Sequence, residues 1–233
     1  MDVNFYATKV QALVLSQRKD TESAYDRNSE VHAFWAFVDL KNSTNYRIAR
    51  GPKKGYVRGE TFFSIVRNVI GSAEEVRLIK EMGDAVLLSC RDSTPLFESV
   101  LLMDHVAHQM VASDDPEFPF GLRVGVASGP CKKLIRDKED FLGRPLDELA
   151  RLMAVRSINT NILIQDEVFR AAKDFLGEYS EVVTIGAPAM IAADVAKGAA
   201  EPIFYREVTV NRTALGNFRK GFTAWKNRSV GEP

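Results

Sequence analysis

The chain has 233 residues, which is enough for one domain with a sizeable hydrophobic core. Lysine plus arginine and aspartate plus glutamate number 31 each, so no net charge draws the chain to nucleic acid or to an anionic membrane. The sequence has no apolar run long enough to cross a bilayer, and its first residues lack the apolar core of a signal peptide. We therefore expect a cytoplasmic protein that binds neither nucleic acid nor membrane and meets any anionic ligand with local charge.

Three regions differ in composition along the chain. Residues 1–30 are predicted to form an N-terminal arm, because the second half of this segment is almost wholly polar. Residues 31–210 carry the regular apolar patterns of a folded domain. Residues 211–233 form a basic tail with interspersed aromatic residues, which we expect to dock on a partner subunit.

The first strand is predicted at Val31–Leu40, where near-continuous apolarity indicates burial on both faces. A short helix is expected to begin at the polar segment 42–44, whose Asn, Ser and Thr are good N-cap residues. The Gly-Pro-Lys-Lys-Gly segment at 51–55 predicts a break in the chain. Helical spacing resumes at Glu60–Ile70.

A hairpin with an acidic tip follows, because two apolar runs, Glu75–Glu81 and Ala85–Cys90, flank the pair Gly83-Asp84. Beyond it, strand and helix patterns alternate. We predict helices at Leu96–Val111, Pro145–Arg156 and Asp166–Phe175, and strands at Gly121–Ser128, Cys131–Ile135, Ile162–Ile164, Val182–Ile185 and Ile203–Val208. This order predicts an α+β fold, an antiparallel-rich sheet with helices on one side, similar to a ferredoxin-like core.

Two carboxylates stand at turns next to apolar runs. Asp39 ends the first strand, and Asp84 lies at the tip of the hairpin. If both runs belong to one sheet, the two carboxylates meet at its edge, beside a helix N-terminus. Paired oxygen ligands in such a place suit a divalent cation and a triphosphate. Taken singly, each aspartate is equally typical of a strand-end cap or a turn.

Four motifs occur in order along the chain: FVDLKNST, KEMGDAVL, LRVGVASGP and DFLGRPLDELARLM. Together they resemble the catalytic domain of class III nucleotidyl cyclases, the adenylate and guanylate cyclase family, over roughly residues 31–170. A compact chain of this kind is further similar to the stand-alone pyrimidine cyclases of the bacterial Pycsar anti-phage system. The resemblance implies a ferredoxin-like class III cyclase domain that assembles as a head-to-tail homodimer.

The resemblance also implies a metal site and a phosphate site. Asp39 and Asp84 match the family's two metal-binding aspartates, and Leu40 completes the predicted metal set. Two Mg²⁺ or Mn²⁺ ions held there would activate the ribose 3′-hydroxyl and neutralise the leaving pyrophosphate. Four residues at the start of the following helix would face the phosphates with their backbone N–H groups: Lys41, Asn42, Ser43 and Thr44.

Base recognition falls on Lys80 and Asp140, which match the family's two base-selecting positions and resemble its adenine-type pair. A solvated lysine and a loop acid are the simpler interpretation of each. Tyr56 and Arg58 lie beyond the predicted break, where an aromatic and a cation would shorten the base pocket toward a pyrimidine. A surface loop explains these two residues equally well.

Arg151 matches the family arginine that stabilises negative charge in the transition state, a role to which a guanidinium fork is suited. Four residues earlier the family has an asparagine that orients the ribose, whereas this chain has Asp147. An aspartate still accepts a hydrogen bond from a ribose hydroxyl, but it adds negative charge near the phosphates. Asp147 therefore remains a candidate that departs from the family pattern.

The implied activity is conversion of a nucleoside triphosphate to its 3′,5′-cyclic monophosphate and pyrophosphate. UTP is the favoured substrate through the Pycsar resemblance, followed by CTP and ATP, and the product cUMP would be sensed by a separate effector in antiviral defence. The family shares its active sites between two protomers, and this chain holds both halves, so a homodimer with two composite sites is expected. A catalytically silent nucleotide-binding regulatory module is the alternative of another class.

Overall fold

The computed structural model describes residues 29–110, 115–134, 140–155, 161–193 and 201–217. The predicted N-terminal arm, apart from its last two residues, and positions 218–233 of the predicted basic tail lie outside the described residues. The strands are β1 (Glu30–Leu40), β2 (Arg77–Met82), β3 (Ala85–Cys90), β4 (Leu122–Leu134), β5 (Asp140–Leu142), β6 (Ile162–Gln165), β7 (Val183–Ile185), β8 (Ala189–Ile191) and β9 (Ile203–Val210). The helices are α1 (Ser43–Arg50), α2 (Pro52–Ile70), α3 (Ser93–Met110), α4 (Arg144–Leu152), α5 (Asp166–Ala171), α6 (Lys173–Glu178) and α7 (Arg212–Asn217).

These strands form one sheet in the order β2-β3-β1-β4-β6-β9-β7, with β5 paired to β4 and β8 paired to β9. Every described pairing is antiparallel except that of β4 with β6. The expected α+β, antiparallel-rich sheet is therefore confirmed. The central strand β1 lies between β3 and β4, so both of its edges are paired.

Helices cover both faces of the sheet, so the prediction that they lie on one side is wrong. On one face, Val38 of β1 belongs to the core cluster that contains Phe62 of α2 and Leu96 of α3. On the other face, Trp35 packs in the cluster that contains Leu149 of α4. Because successive side chains of a strand point to opposite faces, a strand that is apolar on both faces needs cover on both.

One predicted helix boundary and one predicted strand boundary were wrong. In both cases proline and glycine were interpreted as the end of the element. Helix α2 begins at Pro52, a position where the missing N–H costs nothing, and runs through Gly55 without interruption. Strand β4 continues past Gly129, whose φ of 135° lets the backbone bend within the strand. The Trp35 indole N–H donates to the Gly129 carbonyl at 3.1 Å and holds this bend against β1.

Candidate functional site

Asp39 and Asp84 lie side by side where strand β1 ends and strand β3 begins. We call this end of the two strands, with its two aspartates, the acidic edge. Asp39 pairs with Ala85 in the β1–β3 ladder, and Ala85 directly follows Asp84. The backbone N–H of Leu40 donates to the Asp84 carbonyl at 3.0 Å, so the two chain segments are joined on both sides of the carboxylates. The backbone ladder therefore brings together two acids that are 45 positions apart in the sequence.

The two acids interact electrostatically. The pKa of Asp39 is raised to about 6, chiefly by burial and then by the negative charge of Asp84. The Arg123 charge and the Leu40 N–H act in the opposite direction. Repulsion between two carboxylates at a half-buried edge is relieved by a cation, so this arrangement favours positive charge between them.

The donor set fits a cation that also takes ligands from a substrate. Within the described ranges there is no group of three or more His, Cys, Asp or Glu side chains that could hold a metal. Mg²⁺ is commonly bound in proteins by one or two carboxylates together with substrate phosphates and water, which is what Asp39 and Asp84 offer. The Leu40 side chain is a buried hydrocarbon without a ligand atom, so the contribution of this residue to a cation site would be its carbonyl oxygen. The Ser43 hydroxyl donates to the Asp84 carboxylate and orients it.

A cleft of about 570 Å³ opens beside this edge, and we call it the metal cleft. One wall carries Ser43, Thr44 and Asp84, and the other is the first half of helix α2, including Tyr56. The Tyr56 side chain is 69% exposed, as expected for a residue that lines an open cleft. The predicted substrate residues Ser43, Thr44 and Tyr56 thus share one cavity with Asp84, whereas Asp39, its neighbour across the β1–β3 ladder, does not line the cleft.

Lys41 and Asn42 serve the turn between β1 and α1. The Lys41 N–H donates to the Gly121 carbonyl at 2.9 Å, and its ammonium group donates to Asn161, so the prediction that this N–H faces phosphate is wrong. Asn42 has a left-handed φ of 56°, a conformation that asparagine tolerates well, and its side chain makes no capping bond. The N-cap expectation is correct for the position but not for the side-chain contact.

Arg58 is buried, and the prediction that it reaches a base pocket is wrong. Its guanidinium donates to the carbonyls of Phe118 at 2.8 Å and Pro119 at 3.0 Å. It also lies 4.4 Å from the centre of the Tyr46 ring. The arginine therefore fastens the loop before β4 to helix α2. The prediction assumed a mobile segment after the 51–55 break, whereas those residues are helical.

Lys80 and Asp140, the two predicted base-selecting residues, meet directly. The Lys80 ammonium lies 3.1 Å from one Asp140 carboxylate oxygen. The other oxygen accepts the Phe141 N–H at 3.0 Å, and the Phe141 ring packs on Trp35 with centroids 4.9 Å apart. The short strand β5, which was not predicted, positions Asp140 through these contacts. The pair presents one donor and one acceptor at a partly exposed surface.

Asp147 and Arg151 lie one turn apart on α4, Asp147 exposed and Arg151 half-buried. Neither residue lines the metal cleft, and neither do Lys80 and Asp140. The candidate residues of the chain therefore fall into two groups on different elements. One group is the acidic edge, and the other combines the β2–β5 contact with helix α4.

Helix α4 is fixed by a buried polar contact that sequence reasoning missed. Glu148 is 7% exposed, accepts a bond from Arg144 at 2.7 Å and accepts another from the Gln165 amide. The Gln165 carbonyl oxygen accepts the Ser128 N–H at 2.9 Å. This contact joins α4 to β4 and β6. Its only signal in the sequence is that an acidic residue, Glu148, stands among the regularly spaced apolar residues of α4.

No helix in the described ranges is long and apolar enough to span a membrane. The chain matches no family model. It is 31% identical over 140 residues to a pH-sensitive adenylate cyclase from Mycobacterium tuberculosis. The match covers 60% of this chain and 32% of that protein, so the chain spans about a third of the length of this relative.

Solved structures give the fold. The guanylyl cyclase Cya2 superposes with a TM-score of 0.65 at 15% identity, covering 79% of this chain and 95% of that one. The adenylyl cyclase CyaB from P. aeruginosa gives 0.65 at 17% identity, covering 78% and 95%. The chain has the class III cyclase fold. An adenylate/guanylate cyclase/hydrolase from Silicibacter pomeroyi agrees, with a TM-score of 0.60 at 15% identity and coverage of 78% and 98%.

Proposed function

We propose that the protein is a class III nucleotidyl cyclase that converts a nucleoside triphosphate to its 3′,5′-cyclic monophosphate. In this reaction the ribose 3′-oxygen forms a bond to the α-phosphorus, the bond from that phosphorus to the β-phosphate bridging oxygen breaks, and pyrophosphate leaves. The observation that carries the proposal is the convergence of Asp39 and Asp84 at one sheet edge, beside an open cleft. The cyclase fold and the adenylate cyclase relative support it.

The residues divide the work by their chemistry. Asp39, Asp84 and the Leu40 carbonyl would hold the divalent cations, Mn²⁺ or Mg²⁺, which would lower the pKa of the 3′-hydroxyl and neutralise the triphosphate. Ser43 and Thr44 face the phosphates from the wall of the metal cleft. Arg151 stabilises the charge that develops on the transferred phosphorus, and Asp147 accepts a hydrogen bond from the ribose.

The separation of the two residue groups supports a homodimer with composite sites. Within one protomer, Lys80, Asp140 and Arg151 are absent from the lining of the metal cleft. A head-to-tail dimer brings the second group of one protomer to the metal cleft of its partner, and two-fold symmetry then makes two equal sites. A monomer would bind cations without completing the reaction.

We favour UTP as substrate, with CTP next, and cUMP as the second messenger. The pyrimidine preference rests on the resemblance to the Pycsar cyclases and on Tyr56, whose ring shares the cleft with Asp84. The test is incubation of the full chain with each of four α-labelled triphosphates and Mn²⁺. UTP should give the fastest release of cyclic product, and equal rates with all four would refute a selective base pocket.

ATP follows UTP and CTP as a candidate, and the Lys80–Asp140 pair is the feature that favours it. A lysine donor and a carboxylate acceptor complement the N1 acceptor and N6 donor of adenine. The adenylate cyclase relative supports the same choice. Faster conversion of ATP than of UTP in the same assay would establish this alternative.

The biological role that we propose is antiviral defence, in which the cyclic product activates a separate effector protein. Bacteria that carry the cyclase and its effector should survive phage challenge, whereas an Asp84→Ala strain should not. Equal survival of both strains would refute the defence role and leave the chemistry untouched.

A nucleotide-binding regulatory module without catalysis is the proposal of another class, and Asp147 is the feature that favours it. The negative charge of Asp147 near the phosphates would oppose the substrate orientation that the family asparagine supports. Binding of triphosphate with no release of pyrophosphate from any of the four substrates would favour the module.

A further inference from the structure

We propose that Arg47 binds the triphosphate in the metal cleft, from the same protomer as Asp39 and Asp84. This inference rests on the proposed function, and it adds a residue that none of the four cyclase motifs contains. Three observations lead to it, namely the charge of the cleft, the position of Arg47 on α1, and the contact that fixes its stem.

The charge of the metal cleft identifies the residue. Among the described residues that line the cleft, the charged ones are Arg47, Glu60 and Asp84, so Arg47 is the one cation there. A triphosphate is strongly anionic, and a guanidinium offers it a planar fork of donors. Within the described ranges, the Arg47 guanidinium has no ion pair with a protein carboxylate. By contrast, Arg50 on the same helix is held by Asp115 and Glu117.

The helix directs Arg47 toward the acidic edge. Ser43 and Arg47 are four residues apart on α1, so they lie on the same face with their Cβ atoms about 5–6 Å apart. Helical side chains lean toward the N-terminus of their helix, so the Arg47 side chain leans toward the turn that carries Ser43. Since the Ser43 hydroxyl donates to Asp84, a phosphate that shares a cation with Asp84 lies within reach of Arg47.

Gly55 fixes the stem of Arg47 on the opposite wall. A Cβ added at Gly55 would lie 3.0 Å from both the Cβ and the Cγ of Arg47. Glycine is unfavourable in a helix interior relative to alanine. At this position the glycine permits the close approach of α1 and α2 that holds the arginine stem at the cleft.

The test compares three substitutions in the full chain. Arg47→Met keeps the stem over Gly55 and removes the charge, and Arg47→Lys keeps the charge without the fork. Lys53→Met is the matched control, because Lys53 is an exposed cation on the neighbouring helix that lines a different cavity. The probe is inorganic tripolyphosphate with Mn²⁺, measured by calorimetry. Pyrophosphate inhibition and KM for the preferred triphosphate are measured in parallel.

Arg47→Met should weaken tripolyphosphate binding about tenfold or more and raise the pyrophosphate inhibition constant by a similar factor. Arg47→Lys should fall between this variant and the wild type, and Lys53→Met should stay within about twofold of the wild type because its effect is only a screened field. Wild-type affinity in Arg47→Met, or an equal loss in Lys53→Met, would overturn the inference.

Neutralisation of Glu60 is the competing explanation of Arg47. If that were its role, adding Glu60→Gln to Arg47→Met would restore binding, and such a restoration would also overturn the inference. The cyclase proposal is judged separately. Binding of tripolyphosphate with no cyclic product from any triphosphate refutes the activity alone, whereas full activity in Arg47→Met refutes the arginine contact alone. Absence of tripolyphosphate binding by the wild type refutes the contact directly.

Discussion

The acidic edge and the β5–α4 segment are built by different kinds of contact. Asp39 and Asp84 are placed by backbone pairing, through the β1–β3 ladder and the bond from Leu40 to the Asp84 carbonyl. Asp140 is held by the three-residue β4–β5 ladder and by its pair with Lys80, and Arg151 lies on a helix that the contact of Glu148 with Gln165 fastens to the sheet. The second region therefore depends more on side chains than the first. Backbone pairing tolerates changes of side chain, so the first region should keep its geometry in variants that disturb the second. Under the proposed function, the difference would suit a fixed metal site combined with an adjustable site for the base.

Loss of the acidic edge should have the largest effect. We expect Asp39→Ala or Asp84→Ala to lower the rate of cyclisation by about 10³-fold or more, because removal of either carboxylate leaves the cations short of a ligand. Asp174→Ala, on the exposed surface of α6, is the matched control. Steady-state rates with saturating Mn²⁺ measure the effect. Activity within tenfold of the wild type in a folded Asp84→Ala protein would remove the metal site from the account.

The Lys80–Asp140 pair should control the choice of base more than the overall rate. Lys80→Met or Asp140→Asn should change the ratio of kcat/KM between the preferred and the next triphosphate by about 10- to 100-fold, since an unpaired polar group then faces the base. Arg67→Met is the control, because Arg67 forms an exposed ion pair at 2.8 Å with Glu81, next to Lys80. An unchanged ratio in both Lys80 and Asp140 variants would make this pair structural.

The pH dependence of stability should report the burial of Asp39 and its repulsion by Asp84. The pKa of Asp39 is raised from 3.8 to about 6, so the folded protein holds this proton more tightly than the unfolded chain. The resulting stabilisation is full below pH 3.8 and is lost as the pH rises through about 6. In metal-free solution the wild type should lose about 1 kcal/mol more than Asp39→Asn between acid and neutral pH, after allowance for solvent screening. Urea unfolding at a series of pH values with chelator tests this, and parallel curves would contradict it.

Substitutions at two glycines of α2 should have the smallest effect. Comparing them separates the gain from replacing a helical glycine from the cost of crowding a neighbouring side chain. A Cβ at Gly59 would meet no atom within 4 Å, so Gly59→Ala should raise stability by roughly 0.5–1 kcal/mol, or about 1–4 °C in Tm. Gly55→Ala should gain less or lose stability, because its Cβ would crowd the Arg47 stem. Thermal unfolding of both variants checks the order, and a larger gain at Gly55 would contradict the described contact.

The same comparison explains which parts of the fold and of the candidate site could be predicted from the sequence. The acidic edge was predictable, because a two-sided apolar strand and a hairpin tip each end on an aspartate and the sheet joins them. The β5 strand was not, since three residues give no periodic signal and its place depends on tertiary contacts, namely its pairing with β4 and the packing of Phe141 on Trp35. Arg58 was misassigned because burial by tertiary contacts leaves no local trace in the sequence. Arg47 was overlooked because its role depends on α1 and α2 packing together at Gly55.

Mixing two inactive variants tests most directly the claim that the two regions meet across a dimer. Asp39→Ala removes the acidic edge, and Arg151→Ala removes the second group, so a heterodimer retains one complete composite site. After subunit exchange, the mixture should regain up to about a quarter of the wild-type activity, because about half of the dimers are heterodimers with one working site of two. No recovery in a mixture that has exchanged subunits would contradict the shared site.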